Sequence, residues 1–205
     1  MNDRDPGHPD APPPAAEPAH RADNPWTTLS SRSVYRNPWI HVREDQVRNP
    51  SGGRGIYGVV EYQNRAVGVI PVDTDGHTWL VGQYRYTHDR YEWEIPEGGC
   101  PAGEELLECA RRELREETGL VAARYELLLG ELQLSNSTSD ERAWLYVAEG
   151  LTQQNADPEE TEALELWRLP LAEAVAMAAD GRIRDAMSVA GLLRLGLRLG
   201  LGVGR

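Results

Sequence analysis

The sequence predicts an α/β protein, with a mixed β-sheet packed between helices and a set of antiparallel strands in front of it. Three observations lead there. Period-2 alternation of apolar and polar residues recurs from Trp26 to Leu151, the pattern of half-buried strands. Helical periodicity is confined to stretches near 104–118, 171–179 and 188–199. Strands and helices interleave without the regular βαβ rhythm of a doubly wound parallel sheet. A chain of 205 residues has room for one compact core with appendages.

Residues 1–25 hold seven of the fourteen prolines and no β-branched or Phe, Trp or Tyr residue, so they bury too little surface to offset the entropy of ordering and are expected to form a disordered tail. Residues 26–62 follow as N-terminal strands. WTTLSSRSVY and WIHVREDQV flank Asn37-Pro38 and predict an antiparallel hairpin, and Asn49-Pro50-Ser51-Gly52-Gly53 makes the next turn. IYGVVEY, AVGVIPV and TWLVGQY are further strands, with 66–72 apolar enough to be central. Residues 63–205 are read as the main domain. After a Gly/Pro loop, GGCPAG, the helix from Glu104 to Thr118 stops at Gly119, the expected left-handed terminator. YELLLGELQL and RAWLYVAEGL flank the polar loop 135–140. A strand near ALELWRL, a helix from Leu171 to Ala179 and a last one from about Ser188 to Leu199 complete the chain.

Composition excludes several classes of function. Thirty-three acidic against twenty-one basic residues give a net charge of -12, which repels nucleic acid in the absence of a dense arginine cluster. The sequence has no run of eighteen apolar residues, and MNDRDPGHPD offers neither a basic nor an apolar leader region, so no membrane span and a cytoplasmic location are expected. Cys100 and Cys109 belong to no CxxC or Cys/His cluster of zinc spacing, and both are read as small apolar fillers.

The helix at 104–118 carries the chemistry. At about 100° per residue, Leu107, Ala110 and Leu114 form a core stripe, while Glu113, Glu116 and Glu117 share an adjacent arc at i, i+3 and i+4. Each like-charged pair costs roughly 0.2–0.5 kcal/mol, and a helix C-terminus adds to the penalty. A hard divalent cation, Mg²⁺ or Mn²⁺, would offset it. So would Arg111, Arg112 and Arg115 on a plain solvated face, and the helix alone leaves both readings open.

The spacing around the helix goes further. Gly98, five residues, Glu104, seven residues and then Arg112-Glu113-Leu114-Arg115-Glu116-Glu117-Thr118-Gly119-Leu120 resembles the signature of the Nudix hydrolases at every defined position. The resemblance implies a Nudix-type α/β/α sandwich with a mixed sheet, and metal-dependent cleavage of a nucleoside diphosphate linked to another group. VGQYRY at 81–86, WEIPEGG at 93–99 and Gly181-Arg182-Ile183-Arg184-Asp185 extend it over about residues 26–198 to the ADP-ribose and nucleotide-sugar pyrophosphatase branch. The implied products are a nucleoside monophosphate and a sugar phosphate. Many ADP-ribose hydrolases carry Pro-Gly where this chain has Ser135-Asn136-Ser137-Thr138-Ser139. That departure keeps GDP-mannose, UDP-glucose and other nucleotide sugars open. A nucleoside triphosphate hydrolase and a non-catalytic nucleotide-binding module are the remaining alternatives.

The same resemblance assigns roles. Glu113, Glu116 and Glu117 bind metal and Arg112 holds a carboxylate in place, with Glu116 and Arg112 counted as catalytic too. Gly98 and Gly99 are expected to turn at positive φ and bring the backbone of Glu97 to the metal, and Glu104 is expected in the first helical turn, where the dipole favours a carboxylate. Arg85 contacts a substrate phosphate, for which its guanidinium fork is suited. Trp26 and Tyr57 stack the nucleobase, across the interface of a homodimer built from the N-terminal strands. The general base is Glu162, in the late acidic segment 157–165. Glu141, beside the polar loop and at the substrate, is the competing candidate.

Overall fold

The computed structural model describes residues 23–154 and 164–202. Three strands, β1 (Thr27–Arg36), β2 (Ile40–Arg48) and β3 (Arg54–Tyr62), form an antiparallel sheet in the order β1-β2-β3. Its two turns are built by asparagine side chains that substitute for backbone acceptors. Asn37 Oδ1 accepts the N–H of Trp39 and of Ile40 at 2.9 and 2.7 Å. Asn49 Oδ1 accepts those of Ser51 and Gly53 at 3.0 Å each, and Gly52 supplies the left-handed residue at φ 84°.

A four-stranded mixed sheet, ordered β7-β4-β9-β8, forms the centre. It contains β4 (Arg65–Val72), β7 (Glu97–Cys100), β8 (Leu120–Gln133) and β9 (Arg142–Gln153), with β4 parallel to β9 and antiparallel to β7. Alternation on β4 divides the core. Val67 and Val69 face α1 (Leu106–Thr118) together with Ala110, Leu114 and Tyr146. Ile70 faces α2 (Leu171–Asp180) and α3 (Ala186–Leu199) together with Leu145, Val175 and Leu192. Fully burying each such aliphatic side chain contributes about 1.5–3 kcal/mol, so two independent apolar layers clamp one sheet. This is the expected α/β/α sandwich. A third sheet, ordered β10-β5-β6, adds β5 (His77–Arg85), β6 (Arg90–Glu94) and β10 (Glu165–Pro170), with Trp93 edge-on to Trp167 across it, ring centroids 5.2 Å apart.

The N-terminal sheet is fastened to this sandwich by the polar loop 135–140. Val60 N–H donates to the Thr138 carbonyl at 2.8 Å, Tyr62 N–H to Asp140 Oδ1 at 2.8 Å, and the Tyr57 hydroxyl to the Ser137 carbonyl at 2.8 Å.

Four sequence expectations are corrected. Helix α1 begins at Leu106 with Glu105 as its N-cap, so Glu104 precedes the helix instead of lying in its first turn. Arg65 Nη2 holds the Glu104 carbonyl at 2.5 Å and Arg112 holds its carboxylate, and both pull the residue out of the helical path. Residues 98–100, expected as the start of a loop, belong with Glu97 to β7 on the edge of β4. Gly98 and Gly99 are therefore not positive-φ residues; in this segment that conformation belongs to Gly103, at 93°. Finally, α3 starts at Ala186, two residues early, because Asp185 accepts the Ser188 N–H at 2.6 Å and caps it.

Candidate active site

Helix α1 presents its acidic arc to the edge strand β7, and Arg112 gathers the carboxylates. Its Nε and Nη2 hold Glu104 at 3.1 and 3.0 Å, its Nη1 bridges Glu113 at 2.8 Å and Glu116 at 3.0 Å, and Nη2 also donates to the Gly99 carbonyl at 2.9 Å. One guanidinium thus joins three carboxylates and the glycine strand, a task that suits its planar fork of five donors. Of the remaining basic residues of the helix, Arg111 pairs with Glu108 away from the cluster, and Arg115 makes a longer contact to Glu116 at 3.4 Å. Glu113 and Glu117 are buried, at 8% and 4% exposure, which a solvated acidic face would not require.

Glycine at 98 has a steric reason. A Cβ there would lie 2.3 Å from the Glu113 carboxyl carbon, so the carboxylate occupies the space a side chain would need. Glu97 completes the arrangement. Its N–H donates to Glu117 Oε2 at 2.9 Å, while its own carboxylate is buried with Oε2 lacking a hydrogen-bond partner among the described residues. Burial, followed by the nearby charges of Asp185 and Glu94, pushes the Glu97 carboxyl well above the ordinary range, against the pull of Arg85. An orphaned buried oxygen, a glycine cradle filled by a carboxylate and an all-oxygen donor set fit a hard divalent cation. Glu97, Glu113, Glu116 and Glu117 are the residues that could hold it.

Above this floor opens a cavity of about 730 Å³, walled by Arg85, Glu94, Glu97, Glu141, Arg184 and Asp185 among others. Arg85 ends β5 at the cavity, with its Nε 2.9 Å from both Glu94 oxygens and its Nη2 3.4 Å from Glu97 Oε1. Glu141 lines the same wall, and burial, then Asp185 and Asp140, push its carboxyl up. Glu162 lies outside the described residues. Trp26 and Tyr57 pack on each other edge to face, centroids 5.4 Å apart. The N-terminal aromatic residues on the cavity wall are instead Trp39 and Tyr62.

Sequence reasoning passed over Glu92, Glu94 and Asp185. Glu92 and Glu94 sit at i and i+2 on β6, each 4% exposed, so both project from one strand face into the site. Acidic residues alternating with Tyr91 and Trp93 were the available signal. Asp185 stood within the Gly181–Asp185 motif, and its carboxylate both caps α3 and faces Glu97.

Fold and site together define a hydrolase with an acid-lined centre suited to phosphoanhydride chemistry. A NUDIX domain model matches residues 62–190, and a model of the nucleoside diphosphate sugar hydrolase N-terminal domain matches residues 26–60. The chain belongs to the Nudix hydrolase family. It is 36% identical over 176 residues to the ADP-ribose pyrophosphatase of Mycobacterium tuberculosis, covering 84% of each chain. It is 31% identical over 164 residues to the methanol dehydrogenase activator of Bacillus methanolicus, covering 79% of this chain and 88% of the relative. A crystal structure of an ADP compounds hydrolase superposes with a TM-score of 0.78 at 26% identity, over 90% of this chain and all of the other. Among the described residues no helix is long and apolar enough to cross a membrane.

Proposed function

We propose that the protein hydrolyses the pyrophosphate of ADP-ribose, or of a related nucleoside diphosphate sugar, to a nucleoside monophosphate and a sugar phosphate, with Mg²⁺ or Mn²⁺ as cofactor. The observation that supports it is the cluster of Glu113 and Glu116, held by Arg112, with Glu117, which accepts the Glu97 N–H, set against Gly98 at the foot of a polar cavity. When bound by these carboxylates, a divalent cation supplies charge neutralisation at the pyrophosphate and activation of water. Arg85 turns its fork to the phosphates and offsets their charge. Arg112 keeps the glutamates in register throughout. Glu162 takes the proton of the attacking water, with Glu141 the competing base from the cavity wall. Trp26 and Tyr57 bind the nucleobase. Because they lie off the cavity wall of their own chain, they do so from the partner in a cytoplasmic homodimer joined through the N-terminal sheet. That sheet leaves Leu29, Val34, Tyr35 and Ile56 exposed.

Incubation with ADP-ribose, GDP-mannose, UDP-glucose and dGTP, with and without Mg²⁺, tests the reading by its products. AMP and ribose 5-phosphate from ADP-ribose support it. Cleavage of dGTP alone would make the protein a triphosphate hydrolase, and a silent panel would leave a nucleotide-binding module. A preference for GDP-mannose or UDP-glucose is the second reading, favoured by the loop 135–140, which lacks Pro-Gly and is occupied in holding β3.

A further inference from the structure

Beside the glutamate centre lies a second group of ligand atoms that the sequence keeps apart. The strand–loop–helix path from β7 to α1 folds back on itself, so that Cys100, Cys109 and Glu104 each place one ligand atom within 4.8 Å of the others. Both cysteines are fully buried, with 0% exposure. Even so, Cys100 and Glu104 reach the wall of a separate cavity of about 370 Å³, bordered by Arg65, Ala102 and Gly103. Cys109 is closed into the core, and the group borders the cavity through Cys100 and Glu104.

We propose that Cys100, Cys109 and Glu104 form an inhibitory site for a thiophilic divalent cation, Zn²⁺ or Cd²⁺, reached through the smaller cavity. Two sulfurs and one carboxylate oxygen match the ligand preference of such ions, and the soft thiolates select against hard Mg²⁺. Three protein ligands leave a fourth position for water on the cavity side. Binding releases two thiol protons to the buffer. Two thiolates, one carboxylate and a dication sum to a single negative charge, which two arginines are placed to balance. Arg65 Nη2 stands 3.4 Å from Cys100 Sγ, and Arg112 Nη2 stands 3.5 Å from Cys109 Sγ; such N–H···S contacts are the usual outer support of a thiolate–metal centre. The consequence for catalysis runs through Glu104, which is also one end of the Arg112 fork. An ion that recruits the Glu104 carboxylate takes it from the guanidinium that aligns Glu113 and Glu116.

The test is a titration of the full-length protein with Cd²⁺, following the ultraviolet sulfur-to-cadmium charge-transfer band without substrate, beside Zn²⁺ inhibition of Mg²⁺-supported ADP-ribose hydrolysis. A band saturating at one equivalent is expected, together with a fall in turnover of roughly tenfold or more, the usual cost of disturbing groups that orient metal ligands. Cys100→Ala/Cys109→Ala should abolish the band and the sensitivity to Zn²⁺ while retaining turnover in Mg²⁺ alone. No band in the parent protein, an undiminished band in the variant, or unchanged Zn²⁺ inhibition in the variant would each overturn the proposal. If the double variant does not fold, Cys100→Ala alone must weaken the band. The band requires no enzymatic activity, and turnover in Mg²⁺ alone tests the hydrolase reading separately.

Discussion

Replacing Arg112 with alanine probes the feature on which the glutamate centre rests. The side chain makes four hydrogen bonds to the carboxylates of Glu104, Glu113 and Glu116, spanning 2.8 to 3.1 Å. Removing one partner from a fully buried ion pair costs about 3–5 kcal/mol, whereas an exposed pair contributes about 0–1 kcal/mol. Arg112 is 29% exposed, Glu104 24%, Glu116 23% and Glu113 10%. The group lies between those limits and nearer the buried one, so Arg112→Ala should destabilise by about 2–3 kcal/mol. For a chain of this size that is a drop in Tm of about 4–12 °C. Arg112→Lys should recover only part of it, since one ammonium cannot reproduce the fork. Because the variant leaves its carboxylates less compensated, added Mg²⁺ should raise its Tm by more than that of the parent. Calorimetric or fluorescence melting with and without Mg²⁺ is the assay. A variant melting within about 1 °C of the parent under both conditions would show that Arg112 does not hold the centre together.

Gly98→Ala directs a methyl group into the Glu113 carboxylate, 2.3 Å away. It should lower kcat about 100-fold, as expected for a misplaced catalytic group, at a stability cost of only about 1–3 kcal/mol; near-parental kcat would remove the steric argument. Trp26→Ala should raise KM for ADP-ribose with little change in kcat, and an unchanged KM would take Trp26 out of the binding site. Glu162→Gln should cost more turnover than Glu141→Gln, and the reverse order would transfer the general base to the cavity wall. Arg112 holds the Glu104 carboxyl below the ordinary range. Its stabilising effect is therefore present at neutral pH and lost as pH falls through the depressed folded-state value. The difference in Tm between the parent and Glu104→Gln should accordingly shrink below about pH 4, and a gap that widened on acidification would contradict that sign.

What the sequence made legible was local. The asparagine turns at 37 and 49, the αL stop at Gly119 and the arc of Glu113, Glu116 and Glu117 each depend on residues within a few positions of one another, and each stands where expected. What escaped depended on long-range partners. Gly98 reads as a turn former until Glu113, fifteen residues on, is seen to fill its side-chain space. Glu104 reads as helix-initiating until Arg65 and Arg112 draw it away. The polar loop 135–140 reads as a connection between two strands, yet its backbone carries hydrogen bonds that dock β3. Cys100 and Cys109 meet only because β7 pairs with β4 while α1 returns over it. In each case the deciding contact crosses between elements, where neither periodicity nor propensity has reach.

Charge explains why such a centre would wait for its cation before accepting a substrate. Glu92, Glu94, Glu97, Glu141 and Asp185 line the main cavity, against Arg65, Arg85, Arg90 and Arg184. The arginines are already engaged: Arg85 with Glu94 and Glu97, Arg90 and Arg184 with Glu92, and Arg65 with the Glu104 carbonyl. Beneath them Arg112 is shared among three carboxylates of the signature, and the chain as a whole carries -12. A pyrophosphate entering this field meets no uncommitted guanidinium among these arginines, and in a partly desolvated cleft the repulsion is weakly screened. Dications held by the glutamates would reverse the local sign. They would also compete with Arg85 Nη2 for Glu97, leaving that guanidinium paired with Glu94 alone. The salt bridges along the cavity wall keep the arginines oriented, and dications bound at the glutamates would lower the electrostatic cost of bringing a pyrophosphate to them.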